Sequence, residues 1–279
     1  MQKSNYQNSG FEVWNNYLNP KKADNIKKKL DHFFDTNKYL GPAVNVANLK
    51  DNEIYIRGAQ RKKTQEKNDN FLIKKEELNK GVNHYRNLTN GRSLTDPIYR
   101  IEELLEIATD KKILEFARKE LKEKNIYIGY IKLRRFFNNK ISDFDTNFFH
   151  SDDNGGKILK CILYLNDVLN EDDGPFVYVE GSHKTKNCIE TKYTHKEMQN
   201  IYPRKIRSLF GSKGTIIFAN TLGFHRGIKP KNNDRYVLYI NYVCKEEYEG
   251  KGEKQKISKK ILGNNQDKLK LFQFFNKVD

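Results

Sequence analysis

The sequence predicts an α+β, mainly β fold: a β-sandwich or small barrel with helices packed outside it. Three observations lead there. Residues 125–245 hold five apolar, strand-like runs separated by Gly, Pro, Asn and Asp, with few helical signals among them. Residues 96–124 carry a helical repeat just ahead of them. The chain of 279 residues, with 17 Phe and 16 Tyr, is long enough for one large core, and no linker divides it. The expected organisation is a single domain over 1–279. It has a mostly helical N-terminal part with variable loops (1–124), a β core (125–245) and a basic, helical C-terminal tail (246–279).

Taken in order, "NPKKADNIKKKLDHFFDT" sets Ile26, Leu30, Phe33 and Phe34 at helical spacing, and Pro20 suits a helix start. "DNEIYIRGAQ" reads as a short strand, and the charged segment 60–80 as a loop or lid. In "DPIYRIEELLEIATDKKILEFARKELK" the apolar positions Ile101, Leu104, Leu105, Ile113, Leu114, Phe116 and Leu121 repeat helically. A break near Thr109 and Asp110 makes this two helices, with one of those two residues capping the second. The strands follow as "NIYIGYIKLRRFF", "KILKCILYLND", "GPFVYVEG", "GTIIFAN" and "DRYVLYINYV". The final "KLKLFQFFNKV" is expected to return as a helix covering the sheet.

Composition narrows the function classes. No run approaches the roughly 18 apolar residues of a membrane span, and "MQKSNYQNSGFEVW" lacks a signal peptide's apolar core, so a cytoplasmic location is expected. Cys161, Cys188 and Cys244 are an odd number without CxxC spacing. They indicate neither a disulfide framework nor a zinc knuckle, and Cys161 and Cys244 sit in apolar runs that suggest buried thiols. The net charge of +16 invites a nucleic-acid partner, but the excess is lysine scattered through an asparagine-rich chain. The runs Lys27 to Lys29, Arg61 to Lys63 and Lys251 to Lys260 read as solvated faces, and a nucleic-acid partner is not expected.

The chemistry concentrates in "NFFHSDDNGG", residues 147–156. Alternate residues of an extended segment share a face, so His150 and Asp152 could reach one metal ion. The best-placed third ligand is His225 in "GTIIFANTLGFHRG", 225 − 152 = 73 residues on. Two imidazoles and one carboxylate leave three positions open on an octahedral ion, the facial triad of non-haem iron oxygenases. The competing reading is an acidic turn with an exposed histidine. Arg235 opens an apolar strand, where an unpaired arginine is costly and its planar fork matches a carboxylate. A dicarboxylate co-substrate would satisfy it; a salt bridge to Asp234 or Asp167 is the alternative. Lys132 and Arg134 share a face and either help hold an anion or flank a solvent-exposed sheet edge. Tyr164 and Tyr239 either line the cavity or fill core. His32 and His84 read as surface residues, and His195 opens a short helical segment, "THKEMQN".

The pieces "HSD" (150–152), "LYLND" (163–167), "DGPFVYVEGSHK" (173–184), "GTIIFAN" (214–220), "HRG" (225–227) and Arg235 resemble, in that order, the phytanoyl-CoA dioxygenase group of Fe(II)/2-oxoglutarate-dependent oxygenases. The resemblance covers about residues 125–245. It implies a double-stranded β-helix, the cupin-like jelly roll, with Fe(II) held by His150, Asp152 and His225 and the far carboxylate of 2-oxoglutarate on Arg235. His183, in the Gly-Ser-His-Lys turn, is implied to be structural and not a ligand. Halogenating relatives place a small residue where Asp152 stands, so the resemblance implies hydroxylation of a C–H bond, using dioxygen and releasing succinate and CO₂. The abundance of Lys and Arg favours a small anionic substrate. Two alternatives stay open: a cupin-like metal protein that does not use 2-oxoglutarate, and a basic nucleic-acid-binding or nucleic-acid-modifying oxygenase.

Overall fold

The computed structural model describes residues 5–36, 40–42, 46–50, 53–56, 71–74, 86, 90–140, 145–152, 158–185, 192–245 and 254–279. Its strands are β1 (Phe11–Trp14), β2 (Leu40–Pro42), β3 (Val46–Lys50), β4 (Glu53–Ile56), β5 (Phe71–Lys74), β6 (Gly91–Leu94), β7 (Tyr127–Phe136) and β8 (Ile158–Tyr164). After these come β9 (Phe176–Val179), β10 (Ile206–Leu209), β11 (Ile216–Ala219), β12 (His225–Gly227), β13 (Arg235–Val243), β14 (Lys256–Ser258) and β15 (Asn276–Val278). Seven of them form one sheet in the order β1-β11-β8-β13-β7-β6-β2, and β10-β9-β12 form a second. Every pairing in these two sheets is antiparallel.

Two facing sheets and a single side-chain period explain where the core sits. On the large sheet, Ile162, Tyr164, Ile217, Val237 and Phe136 alternate inward and meet Phe176, Tyr178 and Leu209 of the small sheet. The other face carries Leu159, Cys161, Leu163, Phe218, Leu238 and Ile240, buried beneath the helices. This is the jelly roll, with helices outside. The helix Pro20–Asp35 starts with Pro in its first turn and with the Asn19 side chain accepting from the Lys21 N–H. It buries Ala23, Ile26, Leu30 and Phe34 at i, i+3, i+4 spacing. Each large one of these contributes roughly 1.5–3 kcal/mol when fully covered. The helix Lys111–Leu121 covers the same face and is capped by Asp110, whose carboxylate accepts from the Ile113 N–H.

Several expectations change. The stretch 96–124 breaks twice and not once: Pro97–Arg100 and Glu103–Ala108 precede Lys111–Leu121, because Ile101 adopts an extended conformation. Within the segment 60–80 that read as a loop, Phe71–Lys74 is a strand paired with β4, while 60–70 and 75–80 lie outside the described residues. The N-terminal part is not only helical. β1 closes one edge of the large sheet against β11, and β2 and β6 extend the other. At the C-terminus only Gln266–Leu271 of the expected helix forms. Phe272 and Phe275 then turn into the core, and β15 pairs in parallel with β14. Arg134 does not flank an edge, since β7 pairs with β6 over residues 133–136, whereas Lys132 lies just beyond that pairing and is exposed. Cys161 and Cys244 are buried thiols. Among the described residues no helix is long and apolar enough to cross a membrane.

Candidate metal centre

Two histidines that lie far apart in sequence are placed directly opposite each other by backbone hydrogen bonding. The His150 N–H donates to the His225 carbonyl (3.0 Å) and the His225 N–H to the His150 carbonyl (2.9 Å), so segment 148–152 lies along β12 at the rim of the small sheet. The Asp152 N–H then donates to the Thr221 carbonyl (2.8 Å) and the Ser151 hydroxyl to the Leu222 carbonyl (2.6 Å). The segment is therefore tacked to 221–225 along its length. Alternation turns His150 and Asp152 to the same side, as the His-X-Asp spacing predicts.

Each of the three side chains offers an atom to a common point, and these atoms lie within 4.8 Å of one another. His150 Nε2 is 3.6 Å from Asp152 Oδ1, and His225 Nε2 is 3.5 Å from Asp152 Oδ2. Both imidazoles are oriented from behind: His150 Nδ1 lies 2.9 Å from the Phe148 carbonyl and His225 Nδ1 lies 2.9 Å from the Gly223 carbonyl. A carbonyl only accepts, so each Nδ1 carries a proton and each Nε2 is turned to the shared point. This is the second-shell arrangement that metal-ligating histidines use. Burial, and then the neighbouring His225, hold the His150 pKa well below its ordinary value, which keeps that ring neutral. Burial alone would raise the Asp152 carboxyl; the charges around it, the Lys160 ammonium first, outweigh that and hold the carboxyl well below the usual range. Two oriented imidazoles beside an ionised carboxylate suit a divalent cation.

Arg235 faces the barrel interior at the start of β13 and is 2% exposed. Its guanidinium stacks on the Phe136 ring at 4.4 Å, Nη1 donates to the Ile228 carbonyl at 3.2 Å, and its buried Nε has no hydrogen-bond partner. The expected alternative partners are engaged elsewhere. Asp234 takes a bidentate pair from Arg86 (2.6 and 2.7 Å), Arg135 Nε (2.7 Å) and the Asn138 N–H (2.9 Å), while Asp167 accepts from the Lys213 N–H (2.8 Å). Gly227, two residues after His225, makes room: a Cβ there would lie 3.1 Å from Arg235 Nη2. The triad side chains and the guanidinium thus open onto the same interior.

The other sequence candidates divide. Tyr164 is core: its hydroxyl donates to the Leu209 carbonyl and accepts from the Phe176 N–H. Tyr239 is half-buried on the interior face. Arg134 is half-buried and Lys132 exposed. His183 lies in a turn at Ser182–Lys184, its Nε2 3.3 Å from the Gln7 carbonyl, outside the triad. His32 and His195 are exposed, and His84 and Asp153 lie outside the described residues. Two residues were missed. Lys160 Nζ donates to Asp152 Oδ2 at 2.5 Å, and Asn241 is fully buried beside it in register. The signal was a polar residue interrupting each apolar run, in "ILKCILY" and "LYINYV".

No family model matches the chain and no curated protein matches its sequence. Solved structures do resemble it. HygX from Streptomyces hygroscopicus, with nickel, 2-oxoglutarate and hygromycin B bound, is 13% identical, with a TM-score of 0.54 over 90% of this chain and 88% of that one. EctD from S. alaskensis, with 2-oxoglutarate and 5-hydroxyectoine, is also 13% identical, with a TM-score of 0.57 over 87% of this chain and 74% of its own. The chain shares their fold. It shares it too with SnoN, a non-heme alpha-ketoglutarate-dependent epimerase from nogalamycin biosynthesis, at 12% identity and a TM-score of 0.51 over 85% and 79%. The likeness is to the broad group of iron- and 2-oxoglutarate-dependent enzymes, whose reactions differ.

Proposed function

We propose that the chain is a single-domain, Fe(II)- and 2-oxoglutarate-dependent dioxygenase that hydroxylates a C–H bond of a small organic substrate. His150, Asp152 and His225 hold the iron, and Arg235 holds the far carboxylate of 2-oxoglutarate. One observation carries the reading. A buried guanidinium with an unpartnered Nε faces the same interior as two oriented imidazoles and an ionised carboxylate. Leaving such a donor unmade in a dry core costs about 1–3 kcal/mol, which a bound carboxylate would recover.

When bound, iron with 2-oxoglutarate and dioxygen supplies the oxidising power, with succinate and CO₂ as the by-products. The chain's own residues do the rest. The Phe148 and Gly223 carbonyls fix the two imidazoles, Lys160 holds one oxygen of Asp152, and Phe136 supports the Arg235 plane. Phe176, whose ring lies 5.5 Å from that of His225, and the apolar interior around it keep water away. On the surface, Lys22, Lys29 and Lys213 pair with Glu106, Glu103 and Asp24.

The test uses protein prepared without oxygen. Fe(II) plus 2-oxoglutarate should give a weak visible charge-transfer band, and admitting air should release succinate. Arg235→Ala should keep the iron and lose the band. A well-folded protein giving neither band nor succinate would sink the reading; iron bound with no band on adding 2-oxoglutarate would favour a metal protein that does not use it, and a band unaffected by Arg235→Ala would remove Arg235 as the anchor of the far carboxylate.

A further inference from the structure

The interior face of the large sheet carries a polar row that neither the metal ligands nor Arg235 explains. Tyr130 on β7, Asn241 on β13 and Lys160 on β8 are direct cross-strand neighbours. Opposite residues of antiparallel strands project to one face, here the face of Ile162 and Val237. The β7–β13 register slips just beyond this row, with Asn241 opposite Tyr130 and Tyr242 opposite Ile128. Gly129 is the extra residue of a bulge of the kind that re-aims side chains beside functional sites.

Asn241 is the anomaly. It is 0% exposed, yet neither its Oδ1 nor its Nδ2 makes a hydrogen bond of good geometry, the Tyr130 hydroxyl beside it being a weak partner only. Buried amides are nearly always satisfied, so an orphaned one needs a cause. Its neighbours point to the missing partner. Lys160 brings three N–H donors and uses one on Asp152. Tyr130 adds a hydroxyl within electrostatic reach of Lys160 and Asp152. The row is rich in donors and poor in acceptors. Six residues along β13 separate it from Arg235, about 20 Å at roughly 3.4 Å per residue, so a short diacid anchored on Arg235 does not fill it.

We propose that Lys160, Asn241 and Tyr130 form the substrate subsite and hold a carboxylate head group, beside the metal and at the end of the barrel away from Arg235. The carboxylate takes N–H bonds from Lys160 Nζ and Asn241 Nδ2 and an O–H bond from Tyr130. This rests on the function proposed above and names the class of its substrate: an organic acid. A cation offers these donors no acceptor, and a neutral amide, which could meet Asn241, brings no charge to the Lys160 ammonium.

The experiment separates the two claims. Anaerobic protein with Fe(II) and 2-oxoglutarate is first checked for the charge-transfer band, which tests the proposed function alone. The band is then titrated with acetate through octanoate, benzoate and 3-hydroxybutyrate, each against its primary amide. At least one acid should shift the band with an affinity tenfold or more above its amide. Asn241→Leu and the isosteric Asn241→Asp should each weaken that response tenfold or more, and Tyr130→Phe about threefold. All three should leave the 2-oxoglutarate affinity within about twofold. Should Asn241→Leu fold poorly, Asn241→Asp supplies the same readout. Amides matching acids throughout, no response from any acid, or variants that weaken 2-oxoglutarate itself would each overturn the assignment.

Discussion

Arg235 combines charge with shape. Arg235→Lys keeps the charge and loses the planar fork that fits a carboxylate. Its affinity for 2-oxoglutarate should fall at least tenfold, about 1.4 kcal/mol, when the visible band is titrated, while Fe(II) affinity changes little. Asp152→Ala should do the reverse and release the metal, because the two imidazoles alone lack the anionic ligand; metal content after gel filtration reports it. His150, Asp152, His225 and Arg235 were legible in the sequence because each carries a local signal, a His-X-Asp spacing or a charge opening an apolar strand. Lys160 and Asn241 were not. Their meaning depends on register: only the pairing Lys160 to Asn241 to Tyr130 turns three separate polar residues into one row.

Strand β13 is locked at its start by an ionic cluster. Asp234 receives Arg86, Arg135 and the Asn138 N–H. Burial pushes its carboxyl up, but the hydrogen bonds from Arg86, Asn138 and Arg135 outweigh this and lower it from the ordinary value. A carboxyl depressed in the folded state stabilises the fold above its unfolded pKa, near 3.9, and that stability is lost as pH falls through the folded value. Asp234→Asn should therefore cost about 3 kcal/mol at pH 7 in urea unfolding and flatten the loss of stability below about pH 4. Of the elements, the long strands β7, β8 and β13 and the helix Pro20–Asp35 were readable from the pattern of their apolar residues, and β9 and β11 as short, continuous apolar runs. β1, β6, β10 and β12 were not. At three or four residues, each with polar residues among the apolar, they show neither a period nor an apolar run, and their pairing to distant strands sets their conformation.

Across the whole molecule, β1 seals one edge of the large sheet and carries the single tryptophan. Trp14 packs edge-on against Phe218 (4.7 Å) and Phe116 (5.1 Å), joining the sheet to the helix Lys111–Leu121. Trp14→Ala should cost about 3 kcal/mol in urea unfolding, the low end for a large aromatic because the ring is only partly buried. At the other end of the pH scale, burial raises the phenols of Tyr6, Tyr164, Tyr178 and Tyr242. Groups raised in the folded state give stability that is complete below their unfolded pKa, about 10, and declines above it. Unfolding followed by Trp14 fluorescence should become steeply pH-dependent past about pH 10. The reciprocal hydrogen bonds between His150 and His225 have a kinetic consequence. An ion gripping both side chains would rivet two segments 225 − 150 = 75 residues apart at the point where their amides already bond each other. The His150 and His225 amides should then become the slowest in the barrel rim to exchange with deuterium when Fe(II) or Ni(II) is added. At a thousandfold excess of metal over its Kd they should slow by up to about a thousandfold, equivalent to about 4 kcal/mol of added protection. Stripping the metal would let this junction breathe first, well before the long strands behind it open.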